Sequence, residues 1–431
     1  MKTMQGRFRA AVLMGAAASV LVFAAGARAQ DDKHDRHSND KWPYSTSGHS
    51  PVLAVVGDIA CQPGETEPTG EANKELCINP KSPYTSTSLW QSQEATANQI
   101  EAMKPDAVAI TGDLQYQVGQ YSDFKNSFDL TYGSFKFLHR PSPGNHEFYD
   151  EHSEIGVAGY GYFSYYNGFQ VDTSGNPITT TLPDPCPPAS AAACNFPGLT
   201  TAVPQPVPRA DGQAGHFEEQ SGVADGWYSY NLGSWHLISL NIECSTQPGG
   251  CSTTGTWFAS QLEWLKKDLE ENHSACTAAY WHQPTFSGAN SITPEGIAAQ
   301  AFWQLLYEHK ADLVLNGHDH LYAHYRPLDP SGNSDPKNGI REFIVGTGGE
   351  TLDTVVTANT TTADPSSNPN FNALNLEAGA TGNYWGVMAL KLHEHGYEWD
   401  FESALKDPAQ TSGPATYSDK GAGTCHGPAN R

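Results

Sequence analysis

The amino-acid sequence predicts an α/β fold in which parallel strands are completed by antiparallel hairpins. Short apolar runs of strand length recur along the chain, and amphipathic segments with helical spacing separate several of them. Two further regions, 228–240 and 387–401, show paired apolar runs with hairpin spacing. The chain of 431 residues is long enough for one large domain or two ordinary ones.

The first predicted strand, Val52–Val56, is a continuous apolar run that ends in Gly57-Asp58. Residues 89–103 have helical spacing, and the next strand, 107–110, ends in Gly112-Asp113. A strand–helix–strand order indicates a parallel crossover. Open α/β sheets place their sites at the carboxyl ends of strands, so both Gly-Asp pairs are predicted to lie at one edge.

The rest of the chain continues this alternation. In chain order, the predicted elements are strands over 228–232 and 236–240, a helix over 257–269, a strand over 278–281, a helix over 294–309, and strands over 313–315, 343–345, 387–392 and 397–401. Two long segments rich in turn residues, 170–226 and 351–383, interrupt it. Loops of that length are either functional lids or surface insertions, and the sequence leaves both readings open.

The chain begins with the pattern of a secretory signal peptide. Basic residues precede an apolar run over 10–25, and Ala27-Arg28-Ala29 has the form of a cleavage site. No later run approaches the ~20 apolar residues that span a bilayer. We expect an exported protein, periplasmic or extracellular, with a polar leader over 30–50, a domain over 51–405 and a tail over 406–431.

The eight cysteines fit an oxidising compartment. Close spacing favours the pairs Cys61–Cys77, Cys186–Cys194 and Cys244–Cys251, and elimination then leaves Cys276–Cys425 as a tether for the tail. Eight cysteines allow about 105 connectivities, so this pairing stays one choice among many. Cysteine as a metal ligand is the alternative, although other residues already supply ligands.

The formal net charge is −23, and removal of the predicted signal peptide makes the chain more negative still. Such a charge repels nucleic acid and anionic membranes at long range. A small phosphate ester remains an admissible partner where bound metal ions dominate the local field.

Five blocks rich in metal-ligand residues recur along the chain, each just after an apolar run that reads as a strand. They are Gly57-Asp58, Gly112–Tyr116, Gly144–Glu147, Trp281-His282 and Gly317–His320. Each block alone is ordinary, since a single His at a strand end is more often structural. Together they can hold two metal ions, for which a carboxylate such as Asp113 is the natural bridge. A phenolate such as Tyr116 favours ferric iron, whereas imidazole and amide oxygen suit a divalent ion of zinc, manganese or iron.

In this order the blocks resemble the calcineurin-like metallophosphoesterase superfamily, and the Gly-Asp-x-x-Tyr form of the second block resembles its purple acid phosphatase branch. The resemblance covers residues 52–403. It implies a four-layer α/β/β/α sandwich, with two mixed sheets between outer helices and two metals at one edge.

The resemblance also implies a role for each ligand. Asp58, Tyr116 and His320 would hold the first metal, which is ferric in the purple enzymes. Asn145, His282 and His318 would hold a divalent second metal, and Asp113 would bridge the two. His146 would lie over the phosphate, stabilise its charge or protonate the leaving oxygen. Glu147 is expected to support the ligands, and Asp319 to be structural. Substrate contacts are predicted, on weaker grounds, for Tyr322, His324 and His216.

The sequence departs from the family pattern at three places. Most of the superfamily has Asp-x-His in the first block, but Asp58-Ile59-Ala60 lacks that His, and Tyr116 fills the position as in the purple branch. Plant-type purple enzymes carry an N-terminal β-domain, which the short stretch before Val52 predicts to be absent. They also carry a histidine pair where this chain has Ser291-Ile292, so the pH optimum stays open.

The predicted activity is hydrolysis of a small phosphate monoester by attack of a metal-bound hydroxide. A phosphodiesterase or nucleotidase on the same scaffold is the alternative, because the metal centre does not distinguish the three. A non-catalytic phosphate or carbohydrate binder with a relic site is the other alternative, although relic sites usually lose ligands and all seven are present here. The sequence leaves the oligomeric state open.

Overall fold

The structure, a computed structural model of the chain, describes residues 49–61, 90–149, 158–168, 212–217, 225–287, 293–353, 376–377, 381–407, 410 and 413–427, with short pieces at 174, 176, 179–181 and 204–206. These residues belong to one compact unit, Asn39–Arg431. The predicted signal peptide and most of the two predicted insertions lie outside the described residues.

The secondary structure alternates between strands and helices, as the sequence predicts. The strands are β1 (Val52–Val56), β2 (Ala107–Thr111), β3 (His139–Ser142), β4 (Thr179–Thr181), β5 (Pro204–Pro206), β6 (Tyr228–Leu232), β7 (Trp235–Ser239), β8 (Cys276–Tyr280), β9 (Leu313–Asn316), β10 (Tyr322–His324), β11 (Arg341–Val345), β12 (Tyr384–His393), β13 (Gly396–Lys406) and β14 (Ser418–Thr424). The helices are α1 (Trp90–Met103), α2 (Tyr121–Asp123), α3 (Asp129–Thr131), α4 (Tyr160–Asn167), α5 (Thr256–Glu271), α6 (Pro294–Ala298) and α7 (Gln300–Glu308).

Two mixed sheets of six strands each form the centre of the fold. The first has the order β14-β13-β12-β1-β2-β3, and the second has the order β10-β11-β9-β8-β7-β6. In the first sheet β1, β2 and β3 run parallel, whereas β12 pairs with β1 antiparallel. In the second sheet β7, β8, β9 and β11 run parallel, with antiparallel β6 and β10 at its edges. Parallel strands in both sheets therefore provide carboxyl ends for a site.

Alternating side chains of the strands separate the layers. Leu53 and Val55 of β1 pack in a core shared with Leu237 and Leu313 of the second sheet, while Ala54 and Val56 face α1. On the far side of the second sheet, residues of β7 and β9 pack against α5 and α7. Each fully buried Leu or Val contributes about 1.5–3 kcal/mol, so this shared core holds the two sheets together. The predicted α/β/β/α sandwich is confirmed.

Several elements differ from those the sequence predicts. The helix predicted over 294–309 is two helices, α6 and α7, separated by a turn at Ala299. Residues 121–138 form a series of short helical segments that the sequence did not predict. The tail adds strand β14 to the first sheet, where it pairs with β13. Among the described residues, no helix combines the length and apolar character needed to cross a membrane.

Two of the predicted disulfides are present. Cys244 is bonded to Cys251, and Cys276 is bonded to Cys425. Cys61 is disulfide-bonded as well. Cys77, Cys186 and Cys194 lie outside the described residues. The Cys276–Cys425 bond joins the first residue of β8 to the end of the tail, across 149 positions of sequence.

Candidate metal centre

The predicted ligands lie in loops at the carboxyl ends of parallel strands. In the first sheet Asp58 follows β1, Asp113 follows β2 and Asn145 follows β3. In the second sheet His282 follows β8 and His318 follows β9. Because the two sheets face each other across their shared core, these loops meet at one edge. We call this the metal edge.

The backbone of three predicted ligands has an unusual conformation. Asp58, Asp113 and His318 have φ angles of +59°, +47° and +69°. A left-handed backbone costs an L-residue other than glycine about 1–2 kcal/mol. Such strain is concentrated at functional loops, where it directs a side chain that an ordinary turn would place elsewhere.

Glycines of the blocks permit the close approach of the loops. A Cβ on Gly112, whose φ is +89°, would lie 2.4 Å from His282 Nδ1. A Cβ on Gly144 would lie 2.2 Å from Asp113 Oδ1. A side chain at either position would push a predicted ligand out of place. The Gly in Gly-Asp and Gly-Asn-His-Glu is therefore needed for packing of the site.

Tyr116 is the centre of the first group of donor atoms. Its Oη lies 2.9 Å from Asp58 Oδ1, from Asp113 Oδ2 and from His320 Nε2. His320 Nε2 lies 3.4 Å from Asp58 Oδ1. One hydroxyl proton can serve only one of these neighbours. We call these four residues the first half-site.

The second group of donor atoms comes mainly from the second sheet. His282 Nε2 lies 3.0 Å from Asp113 Oδ2, and His318 Nδ1 lies 3.2 Å from Asn145 Oδ1. Ligand atoms of Asp113, His282 and His318 lie within 4.8 Å of one another. We call Asn145, His282 and His318 the second half-site, which shares Asp113 with the first.

The donor atoms fit a pair of metal ions. Atoms bound about 2.0–2.2 Å from one cation lie about 2.8–3.6 Å from each other, which includes the distances above. The imidazole atom His282 Nε2 is buried and makes no hydrogen bond, although Asp113 Oδ2 is close. Its other nitrogen, Nδ1, lies 2.8 Å from the carbonyl of Thr111 and donates to it, which leaves Nε2 as a lone-pair donor towards the centre.

The comparison with known proteins agrees with this arrangement. The sequence profile of the calcineurin-like phosphoesterase family matches residues 51–322, more than half of the chain. The chain belongs to this family. The family fold implies a dinuclear metal centre.

Individual relatives are more distant. Purple acid phosphatase 15 of Arabidopsis thaliana is 31% identical over 125 residues, which are 27% of this chain and 22% of that protein. An uncharacterized protein of Mycobacterium tuberculosis is 25% identical over 255 residues, 56% of this chain and 39% of that protein. The chain thus spans less than half the length of these relatives. A solved purple acid phosphatase from yellow lupin (Lupinus luteus) seeds has a TM-score of 0.47 and 17% identity, covering 85% of this chain and 53% of that one.

In this metallophosphoesterase, Glu147 links two loops of the metal edge by hydrogen bonds. Its Oε1 accepts hydrogen bonds from the backbone N–H of Leu114 and Gln115, and its Oε2 accepts one from Gly144. Burial and the nearby charge of Asp113 raise the pKa of Glu147 to about 8. The side chain thus joins the loop after β2 to the loop after β3 and supports the ligands from behind.

The electrostatics of the centre favour a bound cation. Burial raises the pKa of Tyr116 well above its ordinary value, and the carboxylates of Asp113 and Asp58 raise it further. Burial lowers the pKa of His282, but Asp113 overrides that effect and raises it to about 10. The buried carboxylates of Asp113 and Asp58 contribute to both shifts. Metal ions would compensate these charges and reverse both shifts.

His146 lies beside the bridging carboxylate. Its backbone N–H donates to Asp113 Oδ1 at 2.9 Å, and its Nδ1 lies 2.6 Å from the carbonyl of Gln117. Its Nε2 is 3.8 Å from Asp113 Oδ2. The Nδ1–H bond to Gln117 directs Nε2 towards the centre.

The weaker substrate candidates lie elsewhere. Tyr322 is fully buried, and its hydroxyl donates to Asp419 of β14 at 2.7 Å. His324 is 3% exposed and lies 2.9 Å from the same carboxylate through Nε2. The backbone carbonyl of His216 accepts a hydrogen bond from Gly226. The side chains of Tyr322 and His324 thus contact strand β14, and we do not carry the three candidates into the proposed function. Asp319 contacts Ser287, as a structural role predicts.

Sequence reasoning missed two residues that contact Asn145. Asn145 Nδ2 donates to the hydroxyl of Tyr149 at 2.7 Å, and Gln283 Nε2 donates to Asn145 Oδ1 at 3.3 Å. Both residues adjoin predicted blocks, Tyr149 after Glu147 and Gln283 after His282. Their proximity to the blocks was the only signal, and it did not indicate which way the side chains face.

Proposed function

We propose that the chain is an exported phosphomonoesterase of the purple acid phosphatase type. The observation that carries the proposal is the position of Tyr116 Oη, 2.9 Å from an oxygen of Asp58, an oxygen of Asp113 and a nitrogen of His320. A phenolate at this point would give the first half-site a hard, anionic ligand suited to ferric iron.

The local backbone supports this reading of Tyr116. Ala60 stands where most of the superfamily has a histidine ligand. Its N–H donates to the carbonyl of Leu114, and its own carbonyl accepts the N–H of Tyr116 at 2.7 Å. These bonds hold the segment 114–116 beside the segment 58–60, so that the phenol returns to Asp58. The similarity to Arabidopsis purple acid phosphatase 15 supports the same branch.

The two half-sites would hold unlike metals. Asp58, Tyr116 and His320 would bind Fe(III), and Asn145, His282 and His318 would bind a divalent zinc, manganese or iron ion. Asp113 would contribute an oxygen to both. When bound, the pair supplies an activated water and neutralises charge on the phosphate.

His146 would complete the reaction site. With Nδ1–H donated to the Gln117 carbonyl, Nε2 is free to hold a proton and give it to the leaving oxygen of the ester. The charged imidazolium would also stabilise negative charge on the phosphate. No Ser or Cys nucleophile is needed for this chemistry.

Export is part of the proposal. The N-terminal pattern of a signal peptide and the disulfides Cys244–Cys251 and Cys276–Cys425 support it. The protein would then act on phosphate esters outside the cytoplasm. Amino-terminal sequencing of the secreted protein checks the cleavage after Ala29.

Substrate comparison tests the reaction class. The purified, metal-loaded protein is assayed with 4-nitrophenyl phosphate and with bis(4-nitrophenyl) phosphate, with and without a chelator. We expect the monoester to be hydrolysed at a much higher kcat/KM, and the chelator to remove activity. A preference for the diester would replace the proposal by a phosphodiesterase, and hydrolysis that persists without metal would contradict it.

A further inference from the structure

Tyr149 occupies a distinct position at the mouth of the site. It follows the turn that carries Asn145 and His146, and it contacts both of them. Its side chain is 40% exposed, whereas Glu147 and Phe148 beside it are buried. An exposed tyrosine that holds two groups of a reaction site by two different parts of its side chain needs an explanation.

The hydroxyl of Tyr149 holds the amide of Asn145. Asn145 Oδ1 faces His318 Nδ1 at 3.2 Å and accepts from Gln283 Nε2 at 3.3 Å, so Gln283 sets which end of the amide faces the centre. The opposite end, Nδ2, donates to Tyr149 Oη at 2.7 Å. Because hydrogen bonds hold both ends of the Asn145 amide, the amide plane cannot rotate, and its oxygen stays directed at the second half-site.

The ring of Tyr149 holds the imidazole of His146. The ring centroids of Tyr149 and His146 are 4.7 Å apart in an edge-to-face arrangement. On its other side His146 meets the ring of Tyr116 at 4.1 Å. With Nδ1 donated to Gln117, the imidazole is confined between two aromatic rings. This arrangement removes rotamers in which Nε2 would leave the site.

We propose that Tyr149 is a positioning residue that fixes the second-metal ligand Asn145 through its hydroxyl and the proton donor His146 through its ring. The proposal rests on the proposed function, because it takes the roles of Asn145 and His146 from there. Tyr149 itself binds no metal. Its two contacts predict two separable effects.

Removal of the hydroxyl should affect the second metal alone. In Tyr149→Phe the amide of Asn145 loses one of its two restraints, and supporting bonds of this kind change metal affinity by about 10–100-fold. We expect the Kd for Zn²⁺, measured by calorimetry on protein that retains its iron, to rise about tenfold. Iron content and the visible spectrum should not change. Tyr307→Phe is the matched control, since Tyr307 donates a hydrogen bond of 2.7 Å to Asp335 away from the metal edge.

Removal of the ring should affect proton donation as well. At saturating Zn²⁺, Tyr149→Leu should lower kcat for glycerol 2-phosphate about tenfold more than kcat for 4-nitrophenyl phosphate, because only the alkyl leaving group needs the proton. Tyr149→Phe should keep the wild-type ratio. This difference between esters would not result from a merely structural defect, which lowers both rates equally.

Each outcome decides a part of the proposal. A wild-type Kd for Zn²⁺ in Tyr149→Phe would overturn the role of the hydroxyl. An unchanged ratio between the two esters in Tyr149→Leu would overturn the role of the ring. If the wild-type protein itself bound no metal and hydrolysed neither ester, the proposed function would fail, and the positioning role would fail with it.

Discussion

The metal edge and the opposite edge of the sheets satisfy their buried charges in different ways. At the opposite edge, which we call the tail edge, Asp312 accepts the N–H of Thr277 at 2.9 Å and of His426 at 2.7 Å. The His426 imidazole lies 3.0 Å from the same carboxylate, and the Cys276–Cys425 bond closes the group. Two backbone N–H groups and an imidazole thus surround this carboxylate. At the metal edge, three acceptor atoms, from Asp58, Asp113 and His320, surround the single hydroxyl proton of Tyr116.

The backbone shows the same contrast. Lys310, before the tail edge, has a φ of +59°, but it lies just after the C-cap residue of α7, His309, where a left-handed residue commonly ends a helix. Asp58, Asp113 and His318 have similar angles at strand ends, and all three are predicted ligands. The difference teaches that protein atoms offset the buried carboxylate at the tail edge, whereas the proposed metal ions would do so at the metal edge.

The largest expected effect is a loss of activity, and it is tested by comparing one buried carboxylate from each edge. Asp113→Ala should lower activity at least about 10³-fold and remove at least one metal, since it deletes the ligand shared by both half-sites. Elemental analysis and hydrolysis of 4-nitrophenyl phosphate measure both. The control is Asp312→Asn, a buried carboxylate of the tail edge, which should retain the metals and lose only stability. Full activity in Asp113→Ala would contradict the assignment of the bridge.

The disulfide of the tail edge should affect stability without affecting the metals. The double variant Cys276→Ser/Cys425→Ser opens a loop with a sequence separation of 149, and chain entropy predicts a loss of about 5 kcal/mol in the free energy of unfolding. The matched variant Cys244→Ser/Cys251→Ser, with a separation of 7, should lose about 2 kcal/mol. Urea denaturation and metal analysis compare the two. Equal losses would show that loop length does not determine the effect.

A smaller effect is expected on the pH dependence of the free energy of unfolding, and it comes from the tail edge. The hydrogen bond to Asp312 raises the pKa of His426. His426 therefore contributes fully to the free energy of unfolding below pH 6.5, which is about the pKa of a histidine in the unfolded chain. That contribution is lost as the pH rises through the higher pKa of His426 in the folded protein. Because the His426 side chain is partly exposed, we expect less than about 1 kcal/mol. The free energies of unfolding of wild type and His426→Gln should differ at pH 6 and converge by pH 9.

The sequence predicted the strands of the metal edge well and the tail poorly. β1 and β2 are continuous apolar runs followed by Gly-Asp, and their ends were placed within one residue. β14 was missed because Gly421 and Gly423 give it the composition of a loop. The structure explains these glycines: a Cβ on Gly421 would lie 2.1 Å from the ring of Trp399, and one on Gly423 would lie 2.3 Å from that of Tyr397.

The failure to predict strand β14 also explains which parts of the site could be predicted. The seven proposed ligands were predicted because each lies in a short block after a strand. Tyr322 and His324 were offered as substrate contacts because they follow the last block, but both side chains contact Asp419 of β14. Their surroundings depended on a strand that the sequence did not predict. Tyr149 was missed because its importance lies in contacts across a turn.

The most direct test of the central claim is the visible spectrum of the oxidised protein beside that of Tyr116→Phe. If Tyr116 is the phenolate ligand of ferric iron, the wild type should show a ferric-tyrosinate charge-transfer band, and the variant should lose it while metal at the second half-site remains. An active wild type that contains two metals but shows no such band would contradict the account, as would a band that survives in Tyr116→Phe.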